Sequence, residues 1–141
     1  MSEPCDLSAI EARRMISAKQ LSPVELVESC IKRIEATNGA VNAIVAMDEE
    51  AALEAARSAE RAVVHGEPLG LLHGLPIGVK DLQATAGLRT TWGSLIHEDH
   101  VPEEDESTVA NLRDEGAIIL AKTNTPEFGA GANTRNRVYG E

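Results

Sequence analysis

Aromatic residues are scarce in this sequence, which has one Trp, one Tyr and one Phe among 141 residues. The hydrophobic fraction of 43% is nonetheless close to the globular average, so a buried core is expected. Such a core must be built from Leu, Ile, Val and Ala, which fill space through many small contacts. The length suits one compact domain, and we treat residues 1–141 as a single unit.

Basic residues are also few, with 13 Lys and Arg against 23 Asp and Glu, giving a formal net charge of -10. An acidic surface repels phosphate backbones and anionic lipid headgroups, so we predict no nucleic-acid partner and no membrane binding. No apolar run approaches the ~20 residues of a membrane span. Residues 1–7 are acidic and lack the apolar stretch of a signal peptide, which indicates a cytoplasmic location.

Cysteine is represented only by Cys5 and Cys30, and no Cys-x-x-Cys pair is present. Two thiols make no disulfide framework, and Cys30 lies in a helical pattern typical of a buried, inert thiol. His97 and His100 are three residues apart beside several acids, but Pro102 and the acidic run indicate a solvated loop. We therefore predict no metal site.

Phosphate-binding and dinucleotide-binding motifs are absent. The segment 74–80 lacks the Gly-Lys-Ser/Thr order of a phosphate loop, because Val79 separates Gly78 from Lys80. Gly129-Ala130-Gly131 stands alone, and no helical pattern follows it. No cofactor is predicted.

Helical signals dominate the first forty residues. Ser8 and Glu11 form a capping box that opens one helix. Ser22 as N-cap and Pro23 at the first helical position open a second helix. Asn38-Gly39 predicts its end.

The rest of the chain alternates strand and helix patterns. We predict strands over 41–47, 76–79 and 117–121 and helices over 48–65 and 105–115. The longest of these helices should turn Ala52, Ala55, Ala59, Ala62 and Val63 inward. The segment 85–94 is too polar and irregular for a core element. The fold class is therefore α/β, with N-terminal helices (1–40) packed on part of a mixed β-sheet carried by 41–141.

One lysine stands out from its local context. Lys80 ends the apolar run Leu75-Pro76-Ile77-Gly78-Val79, so its ammonium is expected to be partly desolvated. Desolvation disfavours the charged form and lowers a lysine pKa, which suits a general base. The alternative is an ordinary ion pair with Asp81 or another acid at a strand end, and spacing alone favours that alternative.

Several segments, in order and without large gaps, resemble the amidase signature family. They are Leu21-Ser22-Pro23-Val24-Glu25-Leu26, Leu72-His73-Gly74-Leu75-Pro76-Ile77-Gly78-Val79-Lys80-Asp81, Thr91-Trp92-Gly93-Ser94, Asp105 with Thr108-Val109, Leu112 and Gly116-Ala117, Ala121-Lys122-Thr123-Asn124-Thr125-Pro126-Glu127-Phe128, Asn133-Thr134 and Tyr139-Gly140. Ala121 stands where the family usually has glycine, and Glu106 stands where it usually has alanine.

The resemblance implies an α/β/α sandwich around a large mixed sheet and hydrolysis of small-molecule amides. Family members use a Ser–cis-Ser–Lys triad, and Lys80 aligns with its lysine. Lys122, Thr123 and Asn124 are expected to support the site by hydrogen bonding. Ser94 aligns with a Gly-Ser whose role is structural.

The family's two catalytic serines are expected beyond Glu141, so the resemblance implies a truncated chain that is inactive alone. Other functions remain open from the sequence. The chain could be a non-catalytic remnant, or one part of a split enzyme whose role is assembly, pairing with a C-terminal amidase part or with itself. It could also be the A subunit of a tRNA-dependent amidotransferase, which shares these motifs.

Overall fold

The computed structural model describes residues 3–141. Met1 and Ser2, which belong to the segment without a signal-peptide pattern, lie outside the described residues. The elements are α1 (Ala9–Ser17), α2 (Pro23–Val41), β1 (Ile44–Met47), α3 (Glu49–His65), β2 (Pro76–Lys80), α4 (Ser107–Asp114) and β3 (Ile118–Thr123). This order confirms the predicted α/β class. Within residues 3–141, every helix is too short or too polar to cross a membrane.

The three strands form one mixed sheet in the order β1-β3-β2. Strand β2 runs parallel to β3, and β1 runs antiparallel to it. The central strand β3 is buried from Ile118 to Lys122, which explains its continuous apolar run. The register places Val79 beside Lys122 and Lys80 beside Thr123.

Both faces of the sheet are covered by helices. Ile118 and Leu120 join a core cluster with α2 and α3, whereas Ile119 packs with Val79 and with Val109 of α4. Ile118 and Ile119 therefore serve opposite faces, but the register shifts at Leu120, and Leu120 and Ala121 join the same cluster. A third cluster joins α1 to α2 and to the loop before β2. The N-terminal helices do pack on the sheet, as predicted.

The inward face of α3 differs slightly from the prediction. Ala52, Ala59 and Val63 are buried as expected, but Ala55 is only half-buried and Ala56 is fully buried. Ala62 is also half-buried. The buried positions are spaced by four, three and four residues, which is the period of a helix stripe. Because alanine occupies so much of α3, composition alone did not separate Ala55 from Ala56.

The predicted end of the second helix is wrong. Helix α2 continues through Asn38 and Gly39 to Val41, and Asn42 ends it in the left-handed region at φ 48°. The Asn38 side chain accepts from the Ile44 N–H (2.8 Å) and donates to the Ile44 carbonyl (2.9 Å). Asn38 thus ties the helix to β1 instead of stopping it, and β1 begins three residues later than predicted.

The polar segment 85–94 contains no helix or strand, as expected, but it is not a surface loop. Thr85, Thr90, Thr91 and Ser94 are each at most 1% exposed. Their hydroxyl groups are all hydrogen-bonded, which makes burial of polar side chains tolerable. The segment is irregular, as predicted, but its polar composition does not exclude it from the core.

Candidate active site

Polar residues converge where β2 and β3 end. Parallel strands bring their carboxyl ends to the same edge of the sheet, and ligand sites of open α/β sheets lie at this edge. Strand β2 ends at Lys80 and is followed by Asp81, while β3 ends at Thr123 and is followed by Asn124. The Asp81 N–H donates to the Thr123 carbonyl (2.9 Å), so pairing continues one residue beyond β2.

The side chain of Lys80 is exposed. Lys80 lies beside Thr123 in the register, so both side chains project from the face opposite to Val79 and Lys122. The desolvation expected from the sequence is therefore absent in this chain, because no described segment covers the end of β2 on that face. None of the ion pairs found in residues 3–141 includes Lys80, so the ordinary pairing with an acid is not observed either.

Asp81 is completely buried, and both hydrogen bonds of its carboxylate come from one residue, Thr91. One carboxylate oxygen accepts from the Thr91 N–H (3.0 Å) and the other accepts from the Thr91 hydroxyl (2.5 Å). The same hydroxyl accepts from the Gly93 N–H (3.0 Å). The residue after Lys80 is thus fixed to the far end of the segment 82–91.

The buried lysine of this region is Lys122, whose exposure is 0%. Its ammonium donates to the Gln83 carbonyl, to the Thr85 hydroxyl (2.8 Å) and to the Thr90 hydroxyl (3.0 Å). Burial lowers the pKa of Lys122 to about 8, and the nearby carboxylates, Asp81 first among them, oppose this shift. The supporting hydrogen bonds expected of Lys122 are present.

Sequence reasoning did not identify Lys122 as the buried lysine of this chain. The signal that favours Lys122 is its position inside the central strand, with threonines in the segment 85–91 to accept from it. That pairing spans more than thirty residues of sequence, so no local pattern reveals it.

A second network fixes the residues after β3. The Asn136 amide donates to the Asn124 side-chain oxygen and to the Thr125 carbonyl, both at 2.8 Å. The Asn124 amide in turn donates to the Asn42 carbonyl (3.1 Å) at the end of α2. Asn124 thus joins three separate segments, and the supporting role expected of it agrees with these contacts.

Ser94 is part of the framework. Its hydroxyl is buried and donates to a Glu127 carboxylate oxygen (2.7 Å), while Phe128 donates its N–H to the Trp92 carbonyl (2.7 Å). Gly93 has φ 66°, and a Cβ there would lie 3.2 Å from the Thr125 carbonyl oxygen. The loops after β2 and β3 are therefore packed closely, and the positive φ and the short contact both favour glycine at position 93.

The Trp92 ring packs against His97 and His100, the two histidines that were weighed as metal ligands from the sequence. Its ring centroid lies 5.0 Å from that of His97 and 5.5 Å from that of His100. The Phe128 ring joins these three rings, with its centroid 6.2 Å from that of His97. Within residues 3–141, no group of three metal-ligating side chains is found.

Tyr139 lies near the buried carboxylate of Asp81. Its hydroxyl is buried and has no hydrogen-bond partner among residues 3–141. Burial, reinforced by the Asp81 carboxylate, raises the pKa of Tyr139. The Arg89 guanidinium lies over the ring, 5.1 Å from its centroid, and favours the opposite change.

The two lysines therefore differ in what they can do chemically. Lys122 has every ammonium proton engaged and cannot reach a molecule outside the core. The amine of Lys80 stands on an exposed face, at the end of a strand whose backbone is firmly held.

Comparison with known proteins decides the family. The family model described as Amidase matches residues 25–141, which is most of the chain. The chain belongs to the amidase signature family. The mixed sheet and its helices also match solved structures of amidase signature enzymes, which confirms the resemblance noted in the sequence.

Individual relatives of this amidase chain include an acylamidase of Rhodococcus erythropolis, 41% identical over 134 residues that cover 95% of the chain and 28% of the relative. The A subunit of the glutamyl-tRNA(Gln) amidotransferase of Acidothermus cellulolyticus is 39% identical over 140 residues, covering 99% of the chain and 28% of the relative. The crystal structure of a bacterial aryl acylamidase aligns with a TM-score of 0.88 and 33% identity, over 95% of the chain and 28% of that protein. The chain thus spans about 28% of the length of these curated relatives.

Proposed function

We propose that Lys80 is the general base of an amide-hydrolysing site that is completed by serines from the rest of an amidase domain. The observation that carries the proposal is the exposed amine of Lys80 at the carboxyl end of β2. Membership of the amidase signature family supports the reaction class. Lys122 is the alternative amine, but its three hydrogen bonds occupy it.

In the proposed reaction, a serine hydroxyl attacks the amide carbonyl while its proton passes through a second serine to the Lys80 amine. Lys80 then returns the proton to the departing amine, and water hydrolyses the acyl-serine by the same route in reverse. A lysine accepts a proton only when its amine is neutral, and desolvation favours that form. We propose that the rest of the domain supplies this desolvation by covering the exposed face of β2.

The substrate class proposed is a small-molecule amide, as the name of the Rhodococcus acylamidase suggests for that relative. A second candidate function is a role as part of the A subunit of a tRNA-dependent amidotransferase. Several relatives of similar sequence identity are named as this amidotransferase subunit, which supports the second candidate.

The test is a chimera in which this chain replaces the matching segment of the Rhodococcus acylamidase. We expect the chimera to hydrolyse a chromogenic anilide, and Lys80→Ala to reduce kcat/KM by about 10³-fold or more because triad residues act as a unit. Lys32→Ala, which removes an exposed lysine of α2, is the matched control and should leave the rate unchanged. The 141-residue chain assayed alone should show no turnover.

Two outcomes would count against the proposal. Hydrolysis by the isolated chain that disappears in Lys80→Ala would show that the serines are not needed. A folded chimera that retains its rate after Lys80→Ala would show that Lys80 is not the base. The same chain placed in the Acidothermus amidotransferase tests the second candidate, since glutamine hydrolysis restored only in that background would favour it.

A further inference from the structure

Lys122 and Lys80 are connected through the turn that follows β2. The Lys122 ammonium donates to the Gln83 carbonyl, and the Gln83 N–H donates to the Lys80 carbonyl (3.0 Å). The Thr85 hydroxyl also donates to the Gln83 carbonyl (3.0 Å). The buried ammonium of Lys122 is thus hydrogen-bonded to the turn whose N–H group binds the Lys80 carbonyl.

We propose that Lys122 is a positioning residue for Lys80, holding the turn 80–83 so that the Lys80 amine projects in one fixed direction. This inference rests on the proposed role of Lys80 as the general base. Lys122 acts only through the backbone, because the register places its side chain on the face opposite to Lys80.

A lysine is an unfavourable residue at the buried position 122, because an apolar side chain would fill the interior without the desolvation cost of a charge. All three acceptors of the ammonium belong to the segment 83–90, and all are neutral oxygens. The Lys122 side chain therefore holds three acceptors of a segment that has no regular structure of its own. A methionine at position 122 would fill the same space but would form none of these hydrogen bonds.

The two ends of the same segment are held by other side chains. Asp81 accepts twice from Thr91 at one end. Glu106 accepts from the Gln83 side chain (3.0 Å) and from the Ala84 N–H (3.2 Å). Between the contacts made by Asp81 and Glu106, the Lys122 side chain binds the turn from the central strand β3. Removing the Lys122 ammonium should therefore loosen the turn while the segment stays attached.

The first test uses the 141-residue chain and does not depend on catalysis. In Lys122→Met we expect amide hydrogen exchange at Gln83, the donor to the Lys80 carbonyl, to accelerate about tenfold or more. Exchange in α2 and α3 should not change. Unchanged exchange at Gln83 in a folded variant would overturn the inference.

The second test uses the acylamidase chimera and separates positioning from mere stability. We expect Lys122→Met to lower kcat about 10- to 100-fold with KM within about twofold of the parent, because small misplacements of a reacting group have effects of this size. Lys122→Gln, which keeps neutral donors, should recover part of kcat. Val27→Ala, a core variant on α2 remote from the turn, is the control for lost stability and should leave kcat unchanged at a temperature where it is folded.

The outcomes distinguish this inference from the proposed function. If Lys80→Ala has no effect on the chimera, the role of Lys80 fails whatever Lys122 does. If Lys80→Ala abolishes hydrolysis but Lys122→Met matches the parent in kcat, the positioning role alone is wrong. Equal losses of kcat in Lys122→Met and Val27→Ala would likewise reduce Lys122 to an ordinary core residue.

Discussion

At the scale of single residues, two lysines at neighbouring strand ends have opposite environments. Lys80 is exposed and makes no ion pair among residues 3–141, whereas Lys122 is buried and bonded three times. The hydrogen bonds of Lys122 offset part of the cost of burying its charge, but its lowered pKa shows that the charged amine is less favoured in the folded chain than in the unfolded chain. The buried lysine therefore influences stability in a pH-dependent way.

The first stability prediction concerns this pH dependence. The pKa of Lys122 falls from 10.5 to about 8 on folding, so between these values the unfolded chain holds a proton that the folded chain has released. The free energy of unfolding of the parent should therefore rise with pH relative to Lys122→Met, by roughly 3 kcal/mol at most. Urea titrations from pH 7.5 to 10 measure the difference.

The absolute stability of both variants is also lowered above about pH 10, because Tyr139 acts in the other direction. Its raised pKa means that the unfolded chain ionises first above the ordinary tyrosine value of 10.0, so stability falls there. Lys32→Met serves as the control, since it removes an exposed lysine. Parallel stability curves for the parent and Lys122→Met would contradict the assignment of Lys122 as the group that titrates.

At the scale of secondary-structure elements, the start of α2 depends on one hydroxyl. Ser22 accepts from the Val24 N–H (2.9 Å) and the Glu25 N–H (3.4 Å), and it donates to a Glu60 carboxylate oxygen on α3 (2.6 Å). The cap therefore also joins the two helices that cover one face of the sheet.

We expect Ser22→Ala to lower the free energy of unfolding by about 1–2 kcal/mol, because it removes both the cap and the partner of Glu60. Chemical denaturation followed by circular dichroism measures the change. Ser58→Ala, at an exposed position of α3, is the matched control and should be neutral or slightly stabilising. Equal stability of the two variants would show that the cap bonds contribute nothing net.

Elements were predictable from sequence where their signals are local. The capping box at Ser8 and the N-cap at Ser22 are confirmed, because in each case cap and helix lie within four residues. The end of α2 was missed because Asn38 bonds to β1 instead of ending the helix. Helix α4 begins at Ser107, not at residue 105, because the Asp105 carboxylate accepts from the Ala86 N–H (2.7 Å) outside the helix. Such partners become visible only when the chain has folded.

In the candidate site, too, the features with local sequence signals were predicted and those that depend on distant contacts were not. Motif order identified the segment that carries Lys80 and assigned a supporting role to Lys122. The exposure of Lys80 and the burial of Lys122 were not predicted, because burial at a strand end depends on the segments that cover it. The threonines of the segment 85–91 have acceptors and donors on β3 and after β2, and no spacing in the sequence encodes those distances.

At the scale of the whole molecule, the sheet has two outer edges. In the described residues β1 and β2 each pair on one side only, with β3 between them. Open strand edges present unsatisfied backbone groups that can pair with another chain. Pro76 has no N–H to offer at the β2 edge, but the other residues of β2 whose backbone groups point away from β3 keep theirs.

We therefore expect the 141-residue chain to self-associate through the β2 edge at micromolar concentration. Gly78 is exposed on this strand, and Gly78→Asp adds a charge there once the Thr123 methyl group, 3.0 Å from the new Cβ, has shifted slightly. The variant should shift the weight-average mass towards the monomer. Sedimentation equilibrium measures the shift. Ile10→Lys, which alters an exposed apolar side chain on α1, is the control. A larger effect of Ile10→Lys than of Gly78→Asp would place the contact on the helices instead.

The single tryptophan gives this chain an intrinsic optical reporter. The Trp92 ring packs against two imidazoles and its backbone carbonyl accepts from the Phe128 N–H, so its emission responds to the two loops that flank the strand ends. The helices α1, α2 and α3 contain no tryptophan and are seen only by circular dichroism. Recording both signals during one denaturation tells whether the sheet edge that carries Lys80 melts together with the helical layer or ahead of it.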